Sequence, residues 1–567
     1  MPGRTRLHSC DRVFPVIAGD HADRGNAVTD WNFADVFEAI AATVPDAPAQ
    51  TCGDRRFAWS EFDARSNALA ADLLAAGLGE QAKVAAYLYN GPEYLESYFA
   101  AFKAGLVPVN TNFRYGPEEI RYLFDNADAE AVVFHTSFTP LLEQVRDRLP
   151  GVKVWYGVND GSPIPAWARN YDDVVAVAPE TGGATGVRGP WGRGGDQLLF
   201  LYTGGTTGMP KGVMWRQDDL FNVLGAGGSA LMGVPPATNI AELTSRLGAG
   251  PGPVMLPACP LMHGTGQFSA LIALVLGGCV VTLSSRQFRP SELFNSVDRE
   301  GVNSMVIVGD AFAKPMLAEL DANPGVWTLA TLRMISSSGV MWSQETKDAM
   351  LAHMPDTALV DSYGSSEAVG MGTSVSTKGN AAGTASFMLG PTVHVVADNG
   401  QLVEPGSPET GVVAISGYLP VGYYKDPEKS ARTFRVIDGV RYSVPGDYAN
   451  VLADGTLRLL GRGSGCINTG GEKVFPEEIE EVLKQHASVV DAVCVGVPDE
   501  RFGEVICALV ESRDDSVDSD ALIEHVRGAL ARYKAPRHVL QVSTIGRSPA
   551  GKVDYKRMRE LAVERLV

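Results

Sequence analysis

Between residues 30 and 140, apolar positions switch repeatedly between two spacings. Residues 66–76 carry leucine and alanine at helical intervals and stop at Gly77, whereas 84–88 is a short apolar run of strand type. Residues 92–103 return to the helical pattern and 106–109 to the strand pattern. Such alternation predicts an α/β fold, with parallel sheets covered by helices on both faces. The rhythm persists to about residue 390, after which short strands and turns take over at 392–396, 411–416 and 455–460. Glycine-rich residues 176–196 predict a surface linker.

A boundary is expected at Gly461-Arg-Gly-Ser-Gly465. Beyond it, Pro476 followed by Glu477 and Glu478 marks a helix start, with proline in the first turn and acids at the positive end of the dipole. Ile479, Val482 and Leu483 form its apolar stripe. Strands are predicted at 489–497 and 506–510, and a second helix at 520–530. The expected division is a loose, polar and basic extension over 1–27, a large domain over 28–463, and a small mobile α+β domain over 464–567.

Composition narrows the picture. A net charge of −18 argues against a general nucleic-acid binder while leaving room for a local cationic pocket. The seven cysteines are scattered without C-x-x-C spacing, which fits a reducing compartment and neither a disulfide framework nor a zinc site. The longest apolar stretch, 271–283, is too short to span a bilayer and contains Gly277-Gly278, so it is expected in the core. A cytoplasmic protein is expected, with peripheral membrane contact and a homodimer left open.

The run Tyr202-Thr-Gly-Gly-Thr-Thr-Gly-Met-Pro-Lys-Gly212 carries the strongest chemical signal. Gly204, Gly205 and Gly208 let a backbone approach a ligand and turn N–H groups inward; Thr203, Thr206 and Thr207 add hydroxyls, and Lys211 a positive charge. That is the chemistry of a triphosphate cradle. It is not a Walker loop, because the metal-binding hydroxyl after the lysine is missing and a strand pattern follows where a helix should open. A second near-match, Gly546-Arg-Ser-Pro-Ala-Gly-Lys-Val553, also lacks that hydroxyl. Both loops therefore point away from kinases and P-loop ATPases. A dinucleotide reading of Gly461-x-Gly-x-Gly465 fails because a turn-rich loop follows.

Taken in order, these segments resemble the adenylate-forming superfamily of acyl-CoA synthetases, luciferases and adenylation domains. Besides the cradle, Asp361-Ser-Tyr-Gly-Ser-Ser-Glu367 is similar to the family's Tyr-Gly-x-Thr-Glu motif, with Ser366 for threonine. Tyr442-Ser-Val-Pro-Gly-Asp447, Gly461-Arg462, Asn468-Thr-Gly-Gly-Glu-Lys-Val-Phe-Pro-Glu477 and Ser548-Pro-Ala-Gly-Lys552 match its later motifs. Val109-Asn-Thr-Asn-Phe-Arg-Tyr115 and Val421-Gly-Tyr-Tyr-Lys-Asp426 look like actinobacterial ligases for long-chain fatty or steroid side-chain acids. The hinge position after Gly463 departs from the family's usual aspartate or lysine: it is Ser464.

The resemblance implies a large domain of doubly wound sheets with a small distorted barrel, and ATP, Mg²⁺ and coenzyme A as co-substrates or cofactors. Lys552 would bridge the substrate carboxylate and the α-phosphate. Glu367, beside Ser366, would hold the metal, and Thr203 to Gly208 with Lys211 the phosphates. Asp447 and Arg462 would hold the ribose. Residues 336–339, including Ser338 and Gly339, would wall the adenine together with Asp361, Ser362, Tyr363 and Gly364. His263 is expected between acyl group and adenylate, with a buried structural histidine as the alternative. Gly470, Gly471 and Glu472 would border the pantetheine tunnel, and residues 339–342, 368–372 and 310–312 the acyl pocket. Loading of a separate carrier protein and a non-catalytic nucleotide or acyl sensor remain alternatives to a CoA ligase.

Overall fold

The computed structural model describes residues 30–177, 186–205, 208–229, 233–248, 252–340, 342–380, 382–437, 439–469, 472–499, 502–514, 516–548 and 551–566. The expected extension over 1–27 and the middle of the 176–196 linker lie outside these residues.

The early alternation builds a sheet of eight strands. Lys83–Tyr87 lies between Val107–Asn110 and Ala129–His135, all parallel, and Val154–Val158 extends one side. On the other side Leu198–Gly205 joins in parallel, then turns back as the antiparallel strand Gly208–Arg216. A larger sheet has a parallel half centred on Val254–Pro257, Ser304–Ile307, Met334–Ser338 and Ala358–Ser365. Its direction reverses at the hairpin between Ala358–Ser365 and Ala368–Ser376. From there antiparallel strands run to Thr456–Arg462 around an apolar cluster of their own, in the stretch expected to hold short strands and turns.

The helix Pro92–Ala104 sits between the two sheets, packing on strands of both. Proline in its first turn and Gly105 in the left-handed region (φ 69°) set its ends. All thirteen of its residues are buried, so no polar side chain on it can turn to water. Glu96 takes Arg65 and the Tyr171 hydroxyl, at 2.7 Å each. The Lys103 ammonium donates to Glu38 on Phe33–Thr43 and to Asp63 on Trp59–Ala75, both at 2.7 Å. One buried cation thereby joins three helices.

The chain's last part forms a separate five-stranded sheet with apolar clusters on both faces. Its centre is one long hairpin, Val489–Asp499 paired with Gly503–Ser512. The apolar pattern marked only the inner part of these strands, because the ladder continues past the buried residues into half-exposed ones. The 271–283 stretch is buried as expected, but as a helix end and a strand, Cys279–Thr282, joined through Gly277 at φ 67°.

Lys103→Met should destabilise the protein by about 3 kcal/mol, since it removes the buried cation that Glu38 and Asp63 share and leaves Glu38 to Arg193 and Asp63 to Asn67. A lowered denaturant midpoint would register it; an unchanged midpoint would mean those carboxylates find water.

Candidate active site

Polar loops gather where parallel strands end, as expected of open α/β sheets. Strands Met334–Ser338 and Ala358–Ser365 end side by side, with Ser337 opposite Asp361 and Ser338 opposite Ser362. Over these ends lies a cavity of about 1310 Å³. Thr203, His263, residues 336–339, residues 361–367 and Asp447 line it from the large sheets, and Lys552 from the last domain. Thr203 and Lys552, 349 positions apart in sequence, thus border one cavity.

Asp447 and Tyr363 meet directly: the Tyr363 hydroxyl donates to Asp447 Oδ2 at 3.1 Å. Asp447 also opposes Arg462 in the antiparallel ladder. Glu367 is half-buried, and its Oε1 accepts from the Tyr423 hydroxyl at 2.6 Å. The Ser366 carbonyl accepts from the Trp215 indole at 3.0 Å, which ties this loop to the glycine-rich hairpin. Among the described residues no group of three His, Cys, Asp or Glu side chains could hold a metal alone. One carboxylate supplemented by phosphate oxygens and water is the habit of Mg²⁺, so the donor set fits that ion.

Charge in the cavity is set mainly by burial. Asp361 is pushed up to about 7 by desolvation, against the pull of the nearby Lys347 ammonium. His263 is pushed down to about 4 by burial and then by the charges of Lys552 and Arg114. It is therefore neutral at physiological pH and not a ready proton donor.

Lys552 sits on a tight turn closed at 2.8 Å by the Ser548 N–H donating to its carbonyl, and at 2.7 Å by the Gly551 N–H donating to Ser548. Gly551 has φ 72°, and a Cβ there would stand 3.0 Å from Val340 and 3.1 Å from Ala311. Only glycine allows this turn to seat so deeply on the large domain.

Several expected residues stand elsewhere or cannot be placed. Lys211 is ion-paired with Asp426 and does not line the cavity. Thr206, Thr207, Gly470 and Gly471 lie outside the described residues. Of Gly204, Gly205, Gly208, Arg462 and Glu472 the strand positions alone are described: Gly205 opposes Gly208, and Glu472 opposes Thr469. Of the expected acyl-pocket residues, Asp310, Ala311, Gly339, Val340, Val369, Gly370 and Gly372 line the cavity, residue 341 lies outside the described residues, and the buried Phe312, Trp342, Ala368 and Met371 are absent from the lining. The sequence reading missed the stripe Thr265, Phe268, Ser269 and Ile272 on the helix Gly264–Val275, which forms much of the apolar wall. Its three- and four-residue spacing behind His263 was the available signal.

The profile of the family described as AMP-binding enzyme matches residues 37–424, and that of the AMP-binding enzyme C-terminal domain matches residues 478–552. A 3-oxocholest-4-en-26-oate–CoA ligase of Rhodococcus rhodochrous is 40% identical over 536 residues, covering 93% of this chain and 95% of that protein. The medium-chain acyl-CoA ligase Mig of Mycobacterium avium is 37% identical, covering 95% and 99%. Among solved structures, the anthranilate CoA ligase AuaEII with anthranoyl-AMP superposes with a TM-score of 0.79 at 20% identity, covering 95% of this chain and 98% of its own. ATP-bound MatB from Rhodopseudomonas palustris reaches 0.77 at 24% identity, covering 95% and 100%. At these identities the superpositions establish the shared fold.

The depressed His263 has a measurable signature. Above pH 6.5 it is neutral in both folded and unfolded chains and contributes no pH dependence. As pH falls from 6.5 towards about 4, the unfolded chain takes up the proton first, so folded-state stability is lost across that window. The melting temperature of His263→Phe should therefore fall less between pH 6.5 and 4 than that of the unsubstituted protein. Parallel curves would place the imidazole in water.

Proposed function

The chain belongs to the AMP-binding enzymes, and from that premise we propose how its residues divide the work. The protein is an ATP-dependent acid–thiol ligase: it activates a medium- or long-chain fatty acid or a steroid side-chain acid as acyl-adenylate and passes the acyl group to coenzyme A. The relatives named above act on acids of these kinds. The cavity's apolar residues Leu201, Leu224, Phe268 and Ile272 offer such a chain an apolar berth.

A carboxylate is a poor acyl donor because its leaving group would be oxide. In the first half-reaction a carboxylate oxygen attacks the α-phosphorus of ATP, the bond to the β-phosphate oxygen breaks, and pyrophosphate leaves. Negative charge gathers around the α-phosphate, where the Lys552 ammonium stabilises it. Asp447 accepts from the ribose hydroxyls with Arg462 beside it, while Ser338, Gly339, Asp361, Ser362, Tyr363 and Gly364 hold the base. Thr203, Gly204, Gly205, Thr206, Thr207, Gly208 and Lys211 grip the departing phosphates, Lys211 exchanging its Asp426 partner for them. Glu367, supported by Ser366, would hold Mg²⁺, which supplies charge neutralisation on the pyrophosphate. Neutral His263 separates the acyl carbonyl from the adenylate.

In the second half-reaction the thiol sulfur attacks the acyl carbon, AMP leaves with the bonding electrons, and the thiol proton is released. The last domain turns about Gly461–Gly465 (a short helical turn covers Gly463–Gly465). That withdraws Lys552 and brings Gly470, Gly471 and Glu472 alongside the pantetheine arm. A cytoplasmic homodimer belongs to the same reading; among the described residues no helix is long and apolar enough to cross a membrane.

The observation that carries this assignment is the seating of Lys552 in one cavity with Asp361 and Asp447. Lys552→Ala should lower pyrophosphate release by about 10²–10³-fold, the usual effect of losing one charge-stabilising donor, yet leave thioester formation from supplied acyl-adenylate intact. Equal loss in both half-reactions would refute the division. Mass spectrometry of products from ATP, Mg²⁺, coenzyme A and a panel of straight-chain and steroid acids then fixes the substrate. Accumulation of acyl-AMP alone would instead identify a carrier protein as acceptor.

A further inference from the structure

The turn bearing Lys552 is held from behind by acids on the long hairpin of the last domain. Asp491 and Glu511 face each other across that ladder. Glu511 Oε2 accepts from the Ile545 N–H at 3.0 Å, fixing the chain just before the turn. Asp491 takes Arg547 in a two-point pair, Nε to Oδ2 at 2.6 Å and Nη2 to Oδ1 at 2.9 Å. The remaining arm of the guanidinium, Nη1, donates to the Gly551 carbonyl at 3.2 Å. One rigid planar group therefore joins the sheet to the residue immediately before Lys552. Burial opposes charge on Asp491, but Arg547 and Lys484 hold its carboxyl below the usual carboxylate range. The pair is thus ionised at working pH.

This geometry differs from an ordinary surface ion pair. Arg547 and Asp491 are both largely shielded, with side-chain exposures of 24% and 19%, and both border the cavity. Two of the guanidinium's donors are spent on orientation and a third on the backbone of the lysine's own turn. A fork of fixed shape suits that task, because a flexible ammonium cannot serve both acceptors at fixed angles.

We propose that Asp491 and Arg547 are positioning residues for Lys552 in the first half-reaction. The inference rests on the assignment of Lys552 above. The pair lies wholly within the last domain and moves with it. It governs where the ammonium points once the domain has closed, and it has no part in the second half-reaction, when Lys552 is withdrawn.

The test uses the full-length protein with Arg547→Met, Arg547→Lys, Asp491→Asn and Lys552→Ala, each assayed for pyrophosphate release in a single turnover and for thioester formation from supplied acyl-adenylate. A misplacement of about 1 Å costs on the order of 10²-fold in rate. Arg547→Met and Asp491→Asn should therefore slow pyrophosphate release by about that factor, with KM for ATP and the second half-reaction unchanged. Arg547→Lys, which keeps the charge but not the fork, should recover part of the loss. Parallel loss of both half-reactions would reduce the pair to a structural role and overturn the proposal, as would undiminished pyrophosphate release. Lys552→Ala separates the two levels. If it keeps pyrophosphate release, the assignment of Lys552 is wrong; if it alone loses it, only the positioning inference is.

Discussion

A helix without a solvent-facing side imposes the central constraint on this fold. Pro92–Ala104 lies between two sheets, so each of its polar side chains needs a partner inside the protein. Glu93 is met by Arg55, Glu96 by Arg65 and Tyr171, Ser97 by the Glu93 carbonyl, and Lys103 by Glu38 and Asp63. Glu38 in turn receives the fully shielded Arg193. These contacts set how the surrounding helices lie on the helix, and through them how the two sheets face each other. The strand ends that form the cavity inherit their spacing from that arrangement.

The cavity combines two kinds of control. Its floor is made of strand ends whose register is fixed by the ladder, as where Ser338 and Ser362 lie opposite each other. Its roof comes from a different domain, seated so near that a Cβ on Gly551 would stand 3.0 Å from Val340 and 3.1 Å from Ala311. Between floor and roof, burial sets protonation: it neutralises His263 and brings Asp361 to the edge of ionisation. A site assembled this way takes its shape from strand ends of the large domain and the Lys552 charge from the last one.

Much of this was legible in the chain because it was local. The helical pattern over 92–103 is a helix that the structure places within a residue of expectation, and the strand pattern expected after Lys211 is a strand, which pairs back on the one before it with Thr203 opposite Lys211. What the sequence did not disclose was long-range. That every face of the helix after Pro92 is buried follows from two sheets meeting, which no periodicity encodes. The pairing of Lys211 with Asp426, 215 positions away, and of Arg547 with Asp491, 56 positions away, arises only after the strands are placed. Trp342 was expected at the acyl pocket with Val340, yet it is fully buried in the main core while Val340 lines the cavity, since nearby residues need not share a face.

The contact between Gly551 and the pair Val340 and Ala311 has a consequence for how such an enzyme can change over evolutionary time. Both side chains line the cavity and also stand where a Cβ added to Gly551 of the last domain would meet the large one. A substitution that reshapes the cavity at either position alters that close approach in the same step. Cavity shape and the fit between the two domains are therefore one inherited trait at these two positions, and a bulkier residue at either would crowd Gly551 as well as the cavity.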